Sequence, residues 1–281
     1  MLGRSLMMKA SGRRLFIPAY VQDYLDRVTA ADVAAGNTLG LELAVVDAFN
    51  ICLQDMVADT SLGVSGGVLA QAASLIKATC AMQGARTLSG ALVPLAADMP
   101  APTNSNFTGL RYNRRTGLLG DGATTYLDTN YAGNADPQDN KHIAVYVTER
   151  GATNSLLRWY MGEAGMSVLG LSSQNKHYAR VNDLNTSFPG NDLAETGMIG
   201  ASRQTASNIT VRLGNSSYNV SATSQLPDTR NHFIFCRNDS VIPGYSDARL
   251  NFYSIGSALD LALLDARISA LSTAIQAAIA P

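Results

Sequence analysis

Charged residues are scarce in this 281-residue chain, and their signs cancel. Lysine and arginine number 21 and aspartate and glutamate 22, so that 15% of the residues are charged and the net charge is -1. Soluble domains usually carry roughly 25% charged residues. Without a strong field of one sign, the chain lacks the electrostatic attraction that nucleic acid or an anionic membrane surface requires. The sequence therefore predicts no nucleic-acid partner, and it favours burial of much of the surface in an assembly.

Cysteine and long apolar runs are also lacking. The three cysteines, Cys52, Cys80 and Cys236, are widely spaced and mostly flanked by apolar residues. Disulfide frameworks and structural zinc sites need paired or clustered cysteines, so we expect buried thiols instead. The apolar run near the start, Leu6 to Met8, is too short to cross a bilayer, and membrane insertion is not expected.

The first third of the chain shows helical periodicity. Residues 1–17 contain basic but no acidic side chains, and they are predicted to form an arm that either docks on an acidic partner surface or is disordered. Residues 18–93 are predicted to form a helical anchoring module, and three prolines mark a linker over residues 94–106. The helices predicted within the module span residues 18–36, 39–58 and 68–82.

The middle of the chain, residues 107–256, has the two-residue rhythm of β-strands. Short runs rich in Tyr, Val, Ile and Thr alternate with turns rich in Gly and Asn. No helix-length segment separates the runs, which argues against a parallel sheet and favours an antiparallel β-sandwich or jelly roll. The predicted fold class is α+β, mainly β. The ten predicted strands span residues 125–128, 142–148, 156–161, 166–171, 177–181, 198–202, 209–213, 217–222, 232–237 and 249–253.

Residues 257–281 change to helical periodicity directly after Gly256. Apolar side chains recur at three- and four-residue spacing through nearly three heptads. One interpretation is a short coiled coil about a symmetry axis. The other is that the stripe packs against the N-terminal helices of the same chain. The residues of this stripe, predicted for oligomerisation, are Leu261, Leu264, Ile268, Leu271 and Ile275.

Aromatic and amide side chains near the strand ends are candidates for a sugar site. Such a site on a sandwich needs exposed aromatic rings beside amide and carboxylate groups. Strand alternation places Trp159 and Tyr160 on opposite faces, so at least one of the two belongs to the core. The predicted carbohydrate-binding residues are Tyr160, Tyr178, Tyr245, Asn175 and Asn182.

Metal-binding and catalytic patterns are incomplete. Asp136, Asp139 and Asn140 offer the oxygen ligands that Ca²⁺ prefers, although the D-x-D-x-D-G spacing of a dedicated loop is missing; no other cofactor is expected. Hydrolysis of a glycoside would need two carboxylates roughly 5 to 10 Å apart. Nothing distinguishes the available pairs from solvated turn residues, so no catalytic residue is predicted. These pairs are Asp136 with Asp139, Asp183 with Asp192, and Asp239 with Asp247.

Five short motifs of turns and strand ends have distinctive sequences. They are GLLGDG at 117–122, YLD at 126–128, NADPQ at 134–138, IGASR at 199–203 and ARLNFYSIG at 248–256. Together they resemble tailed-phage virion proteins, including those of cyanobacterial phages, that have a concanavalin-like, LamG-type jelly roll. The resemblance covers the chain from about Ala85 to its C-terminus.

This resemblance implies a non-enzymatic structural component of a phage particle, made in the host cytoplasm. The first hypothesis is a tail or head fibre or adhesin whose lectin-like sandwich binds a host-surface glycan. The second is a capsid decoration (cement) protein over shell-subunit junctions, and the third is a polysaccharide-degrading enzyme on the same scaffold. The expected partners are other virion proteins and further copies of the chain, as a homotrimer by analogy with phage symmetry.

Overall fold

The computed structural model describes residues 7–10, 13–59, 62, 67, 69–152, 157–172, 176–184, 196–239 and 244–280. The helices in this part of the chain are α1 (Ala19–Ala34), α2 (Leu43–Ala58), α3 (Leu88–Ala91) and α4 (Leu261–Ala278). The strands are β1 (Met7–Ala10), β2 (Arg13–Phe16), β3 (Ile76–Ala81), β4 (Thr103–Ser105), β5 (Tyr112–Asn113), β6 (Gly117–Leu119), β7 (Tyr126–Ala132), β8 (Lys141–Glu149), β9 (Arg158–Glu163), β10 (Ser167–Leu171), β11 (His177–Arg180), β12 (Gly197–Arg203), β13 (Asn208–Leu213), β14 (Ser216–Ser221), β15 (Asn231–Ile234) and β16 (Arg249–Gly256).

Two antiparallel sheets face each other. The six-stranded sheet has the order β11-β10-β9-β15-β7-β4, and the eight-stranded sheet has the order β14-β13-β12-β8-β16-β6-β5, with β3 also paired to β16. All ten predicted strands are present, and the predicted antiparallel sandwich is confirmed. Strand alternation explains the core: Ile143, Val145 and Val147 of β8 point between the sheets, where they meet side chains such as Leu127 and Leu169.

A layer of helices covers the other face of the eight-stranded sheet. Helices α1, α2 and α4 share one apolar cluster with Ala144, Met198 and Phe252 of that sheet. The five residues predicted for oligomerisation, Leu261, Leu264, Ile268, Leu271 and Ile275, are all buried in this cluster. Their assignment to an interface between copies is therefore corrected, because packing within the chain already removes them from solvent. The structure agrees with the alternative interpretation, in which the stripe packs against the N-terminal helices of the same chain.

The third predicted helix, residues 68–82, is wrong. Residues 76–81 instead form β3, which pairs antiparallel with β16 from Phe252 to Gly256. The strand comes from the predicted helical module but belongs to a sheet of the predicted sandwich. The boundaries 1–17, 18–93, 94–106, 107–256 and 257–281 remain a prediction of how the chain divides.

Part of the predicted basic arm forms two paired strands. Strands β1 and β2 pair antiparallel, from Met7 opposite Phe16 to Ala10 opposite Arg13. They form a two-stranded sheet separate from the sandwich. Among the helices of the described residues, none combines the length and apolarity needed to cross a membrane.

Candidate functional site

The outward face of the six-stranded sheet carries an open groove with an aromatic floor. Tyr126 of β7 and Phe233 of β15 are stacked, with ring centroids 4.6 Å apart and planes inclined by 25°. The ring of Tyr245 lies 6.4 Å from that of Tyr126. All three rings are half-buried, and they line a depression of about 470 Å³. We call this depression, with its lining residues, the aromatic groove.

Polar side chains complete the lining of the aromatic groove. Arg237 and Asp239 form an ion pair at 2.7 Å. The side-chain amide of Asn238 donates to Asn231 O at 2.9 Å, and Arg230 reaches Asn238 O at 3.4 Å. The groove therefore combines flat apolar surfaces with fixed donors and acceptors, the combination that orients a polar ligand with apolar faces.

Trp159 supports Arg237 from beneath. Its indole is buried on the outward face of β9, with the Arg237 guanidinium 5.1 Å from the ring centroid and the Tyr178 ring in edge contact at 5.4 Å. The ring also lies over Gly170 of β10, where a Cβ would come within 2.8 Å of Trp159 Cε3. A cation held over an indole face is attracted by the negative potential of the ring, so Trp159 fixes the position of Arg237.

The backbone at Phe235 turns the chain into the groove. Phe235 has a φ of 72°, an uncommon and strained region for a bulky residue. Two backbone hydrogen bonds hold it there, from Phe235 N to Tyr160 O and from Ser246 N to Phe235 O, both at 2.7 Å. Its ring packs edge-on against Phe107 at 4.8 Å. The groove residues begin directly after this strained turn, at Cys236. Burial raises the pKa of the Cys236 thiol to about 12, so the thiol is protonated at neutral pH.

The structure separates the five predicted sugar-binding residues. Tyr245 lines the aromatic groove, and Tyr178 lies beside it against Trp159. Asn182 is buried and donates its amide to Gln138 O at 2.7 Å, while Asn175 lies outside the described residues. The prediction that Tyr160 binds a sugar is corrected, because Tyr160 is completely buried between the sheets and offers no surface to a ligand. Tyr126 and Phe233, the floor of the groove, were not among the predicted residues.

Two of the three predicted calcium ligands make hydrogen bonds within the protein. Asp136 accepts a hydrogen bond from Tyr131 Oη at 3.0 Å, and burial raises the pKa of its carboxyl group. Asn140 Oδ1 accepts from Ala258 N at 2.9 Å. Within the described residues, no three His, Cys, Asp or Glu side chains gather as metal ligands. Calcium binding by Asp136, Asp139 and Asn140 stays an untested prediction.

Each candidate carboxylate pair has at least one member that contacts another group or lies outside the described residues. Asp239 pairs with Arg237, whereas Asp247 pairs with Arg158, so each carboxylate belongs to its own ion pair. Asp192 lies outside the described residues.

A second polar group, which we call the interior cluster, lies between the sheets. It consists of Lys141, Glu163 and His232, all without solvent exposure. Lys141 Nζ lies 3.8 Å from Glu163 Oε1 and donates to Gly133 O at 2.7 Å. Burial raises the pKa of Glu163, although the neighbouring ammonium opposes this, and burial lowers the pKa values of Lys141 and His232. None of its three side chains reaches the solvent, so the cluster offers no surface to a ligand.

Comparisons with known proteins return only distant similarity. No family model matches the chain, and no curated protein matches it. A mutant of Trypanosoma rangeli sialidase displaying trans-sialidase activity aligns with a TM-score of 0.48 and 10% identity, over 82% of this chain and 39% of that one. Domain 4 of an extracellular arabinanase from Geobacillus stearothermophilus, in complex with arabinotriose, aligns with a TM-score of 0.40 and 9% identity, over 72% of this chain and 97% of that one. At these values the alignments assign neither a ligand nor an activity to this chain.

The expected absence of enzymatic activity is corrected by this comparison. The resemblance to virion proteins implied a chain that is not an enzyme, whereas several solved structures that align with this chain are sialidases, which are enzymes. The chain spans about two fifths of the length of these sialidases. The fold therefore gives no ground for denying catalysis.

Proposed function

We propose that this chain binds a carbohydrate in the aromatic groove and serves as a host-recognition protein of a phage particle. The observation that supports binding is the stacked pair of Tyr126 and Phe233 on the solvent side of the sheet, with Tyr245 beside it. Large aromatic rings are usually buried between the sheets of a sandwich. Here strand alternation places them on the outward face, where they are half-exposed.

The chemistry of the groove matches that of a sugar. A pyranose has apolar C–H faces and a rim of hydroxyl groups, so it stacks on an aromatic ring while its hydroxyls bond to amide, carboxylate and guanidinium groups. The groove offers both kinds of surface, rings on its floor and Arg230, Asn238 and Asp239 around it. Its open shape suits a residue within a longer glycan.

The particle setting of this proposal is supported by the motif resemblance and by the low content of charged residues. Antibody labelling of intact phage particles tests it: we expect the protein on the exterior of the tail or head. Absence of the protein from purified particles, or a location inside the capsid, would overturn this part of the proposal.

Binding is tested by a glycan array built from bacterial surface polysaccharides, followed by titration calorimetry with the strongest binder. We expect Phe233→Ala to weaken binding roughly tenfold, equivalent to about 1.4 kcal/mol, because one face of the stacked pair is lost. Tyr20→Ala is the matched control, since it removes a half-exposed tyrosine of the helix layer, outside the groove.

Two results would count against the groove. One is a wild-type protein that binds no glycan on the array, and the other is a Phe233→Ala variant that binds as tightly as wild type. The array supernatants are also assayed for released sugar. Release that persists after Phe233→Ala would place the carbohydrate chemistry elsewhere on the molecule.

A further inference from the structure

Two arginine side chains come together over the turn between β9 and β10. Gly165 lies in this turn with a φ of 90°. A Cβ built on Gly165 would have two heavy atoms of the described residues within 4 Å, Arg180 Nη2 at 3.5 Å and Arg237 Nη1 at 3.6 Å. Two guanidinium groups therefore approach the same point, and no carboxylate of the described residues lies within 4 Å of it.

This turn adjoins the aromatic groove. Asn238, which lines the groove, donates its backbone N–H to Gly162 O at 3.1 Å and accepts from Ala164 N at 3.2 Å. Gly162 also lies opposite Phe233 of the groove floor in the strand register. Gly165 follows Gly162 by three residues, which is at most about 10 Å of chain. The two arginines thus lie beside the groove, within reach of an oligosaccharide that stacks on its floor.

Both arginines are held in place by contacts within the protein. Arg237 pairs with Asp239 through Nη2 at 2.7 Å, and Nη1 faces the turn. Arg180 donates from Nη1 to Leu184 O at 2.9 Å, and Nη2 faces the turn. A guanidinium group has five N–H donors in a fixed plane, so an arginine that is held by one nitrogen can present another to a ligand.

The charges of the groove lining favour an anionic ligand. Among the described residues that line it, Arg230 and Arg237 are cationic and Asp239 is the one carboxylate, which leaves one unit of positive charge. Arg230 Nε lies 3.8 Å from Asp228 Oδ1, which is too long for a hydrogen bond. The groove therefore carries more positive than negative charge where a ligand would lie.

Arg180 adds a further positive charge next to Arg237. Burial lowers the pKa of Arg180, Asp183 opposes this, and the charge of Arg237 contributes to the lowering. Asp183 is itself buried, and it also acts on the charge of Arg203. A carboxylate bound between Arg180 and Arg237 would relieve the repulsion between them and accept charge-assisted hydrogen bonds from both.

We propose that the ligand of the aromatic groove is an acidic polysaccharide, in which one sugar stacks on Tyr126 and Phe233 and the carboxylate of an adjoining hexuronic acid binds between Arg180 and Arg237. This inference rests on the proposed function and names the class of its glycan. Hexuronic acids occur within polysaccharide chains, which agrees with the open shape of the groove.

The test uses an array of uronic-acid-containing bacterial surface polysaccharides in two forms, with neutral polysaccharides beside them. One form is native. In the other, carbodiimide activation and borohydride reduction have converted each uronic acid to the neutral hexose. Binding is measured over a series of protein concentrations. We expect the apparent dissociation constant of wild type to be at least tenfold higher for the reduced form, because the carboxylate is lost.

Variants of Arg180 show where the carboxylate binds. Arg180→Gln should bind the native form about tenfold more weakly than wild type does, and the reduced form equally well. Arg180→Lys keeps the charge but loses the planar fork, so it should retain part of the preference. Arg27→Gln is the matched control, since it removes another partly buried arginine, on α1 in the helix layer.

Three results would overturn this inference and leave the proposed function standing. They are a wild-type protein that binds the native and reduced forms equally, a wild-type protein that binds neutral polysaccharides alone, and a folded Arg180→Gln variant that keeps the full preference. If the thermal midpoint shows that Arg180→Gln does not fold, the wild-type comparison of the two forms still decides. Binding to no polysaccharide on the array would instead overturn the proposed function.

Discussion

Trp159 shows how a residue that a ligand cannot reach controls a binding site. It is only 2% exposed, yet the Arg237 guanidinium rests on its ring. We predict that Trp159→Leu weakens glycan binding about fivefold, because the loss of the cation–π contact, worth about 1 kcal/mol, frees Arg237 to leave its position. Calorimetry measures the affinity.

A double-mutant cycle separates this positioning effect from general damage to the sheet. Arg237→Ala alone should also weaken binding, and adding Trp159→Leu to it should weaken binding little further, because both changes remove the same contribution. Strictly additive losses would show that Trp159 acts independently of Arg237.

The interior cluster leads to a prediction about stability. Lys141→Met leaves the buried Glu163 without its cation, and breaking a buried pair in this way costs about 3–5 kcal/mol. Urea unfolding at pH 8 should show this loss. Lys141→Met combined with Glu163→Gln should recover much of it, because no buried charge remains.

The loss in Lys141→Met depends on pH with a definite sign. Burial raises the pKa of Glu163 above its unfolded value, so the folded state holds a proton on this group that the unfolded state releases. The stability associated with that proton is present at low pH and disappears as pH rises. The Lys141 ammonium lowers the pKa of Glu163, so its removal raises that pKa further, and the variant gains more stability than wild type as pH falls. The deficit of the variant should therefore shrink between pH 8 and pH 5, and a constant deficit would contradict an ionisable partner.

Tyr160 illustrates what residue alternation cannot predict. Along β9 and β10, Met161 lies opposite Leu169 but Trp159 lies opposite Gly170, so β9 contains one extra residue at Tyr160. Such a bulge breaks the two-residue rhythm, and Tyr160 and Met161 both enter the core. Alternation correctly required at least one of the two aromatic residues to belong to the core. It could not show that Tyr160 lies between the sheets while Trp159 is buried on the outward face, because the bulge could not be read from the sequence.

At the level of elements, the ten strands of the middle region were predicted from two kinds of signal. Some alternate in burial along the strand, as β13 does. Others, such as β9 and β10, are buried along their whole length, and these were marked by β-branched and aromatic residues between turns rich in Gly and Asn. Strand β3 is buried on both faces except at Lys77, so burial does not alternate along it. A strand without this alternation cannot be distinguished from a helix by periodicity, and the spacing of Leu69, Leu75, Ile76 and Cys80 fitted a helix.

Helix α4 provides a test of which face matters for folding. Ile268 is completely buried against the helix layer and the sheet, whereas Ala266 on the same helix is exposed. We predict that Ile268→Ala lowers the free energy of unfolding by about 3 kcal/mol and that Ala266→Ser changes it by less than about 1 kcal/mol. Chemical denaturation measures both. Equal effects would mean that the inner face of α4 is not packed as described.

For the molecule as a whole, the aromatic groove depends on long-range assembly. Its floor joins Tyr126 of β7 to Phe233 of β15, more than 100 residues later, because β15 pairs with β7 in the six-stranded sheet. Sequence inspection found Tyr245 by its neighbouring polar residues, but it had no means of placing β7 beside β15. A sandwich was predictable from local rhythm, whereas the site required the strand order.

The buried histidines make the stability of the whole molecule depend on pH. His142 donates from Nδ1 to Ser257 O at 2.6 Å, so Nε2 accepts from Ser254 Oγ at 2.7 Å, and burial lowers the pKa of the ring to about 4. Between pH 6.5 and pH 4 the unfolded chain therefore binds a proton that the folded chain does not, and stability falls as pH falls.

Replacement of His142 by Asn should flatten this dependence. From pH 7 to pH 5 we expect wild type to lose about 2 kcal/mol more than His142→Asn, the amount linked to one proton over this window. Urea unfolding at both pH values measures the difference. His232 also contributes to the loss of stability at low pH, because burial lowers its pKa, whereas the raised pKa of Glu163 has the opposite effect. Both groups are present in the variant and in wild type, so the difference between the two proteins reports on His142. Parallel losses in the two proteins would mean that His142 takes up its proton in the folded state, and that the junction between β16 and α4 admits a charge.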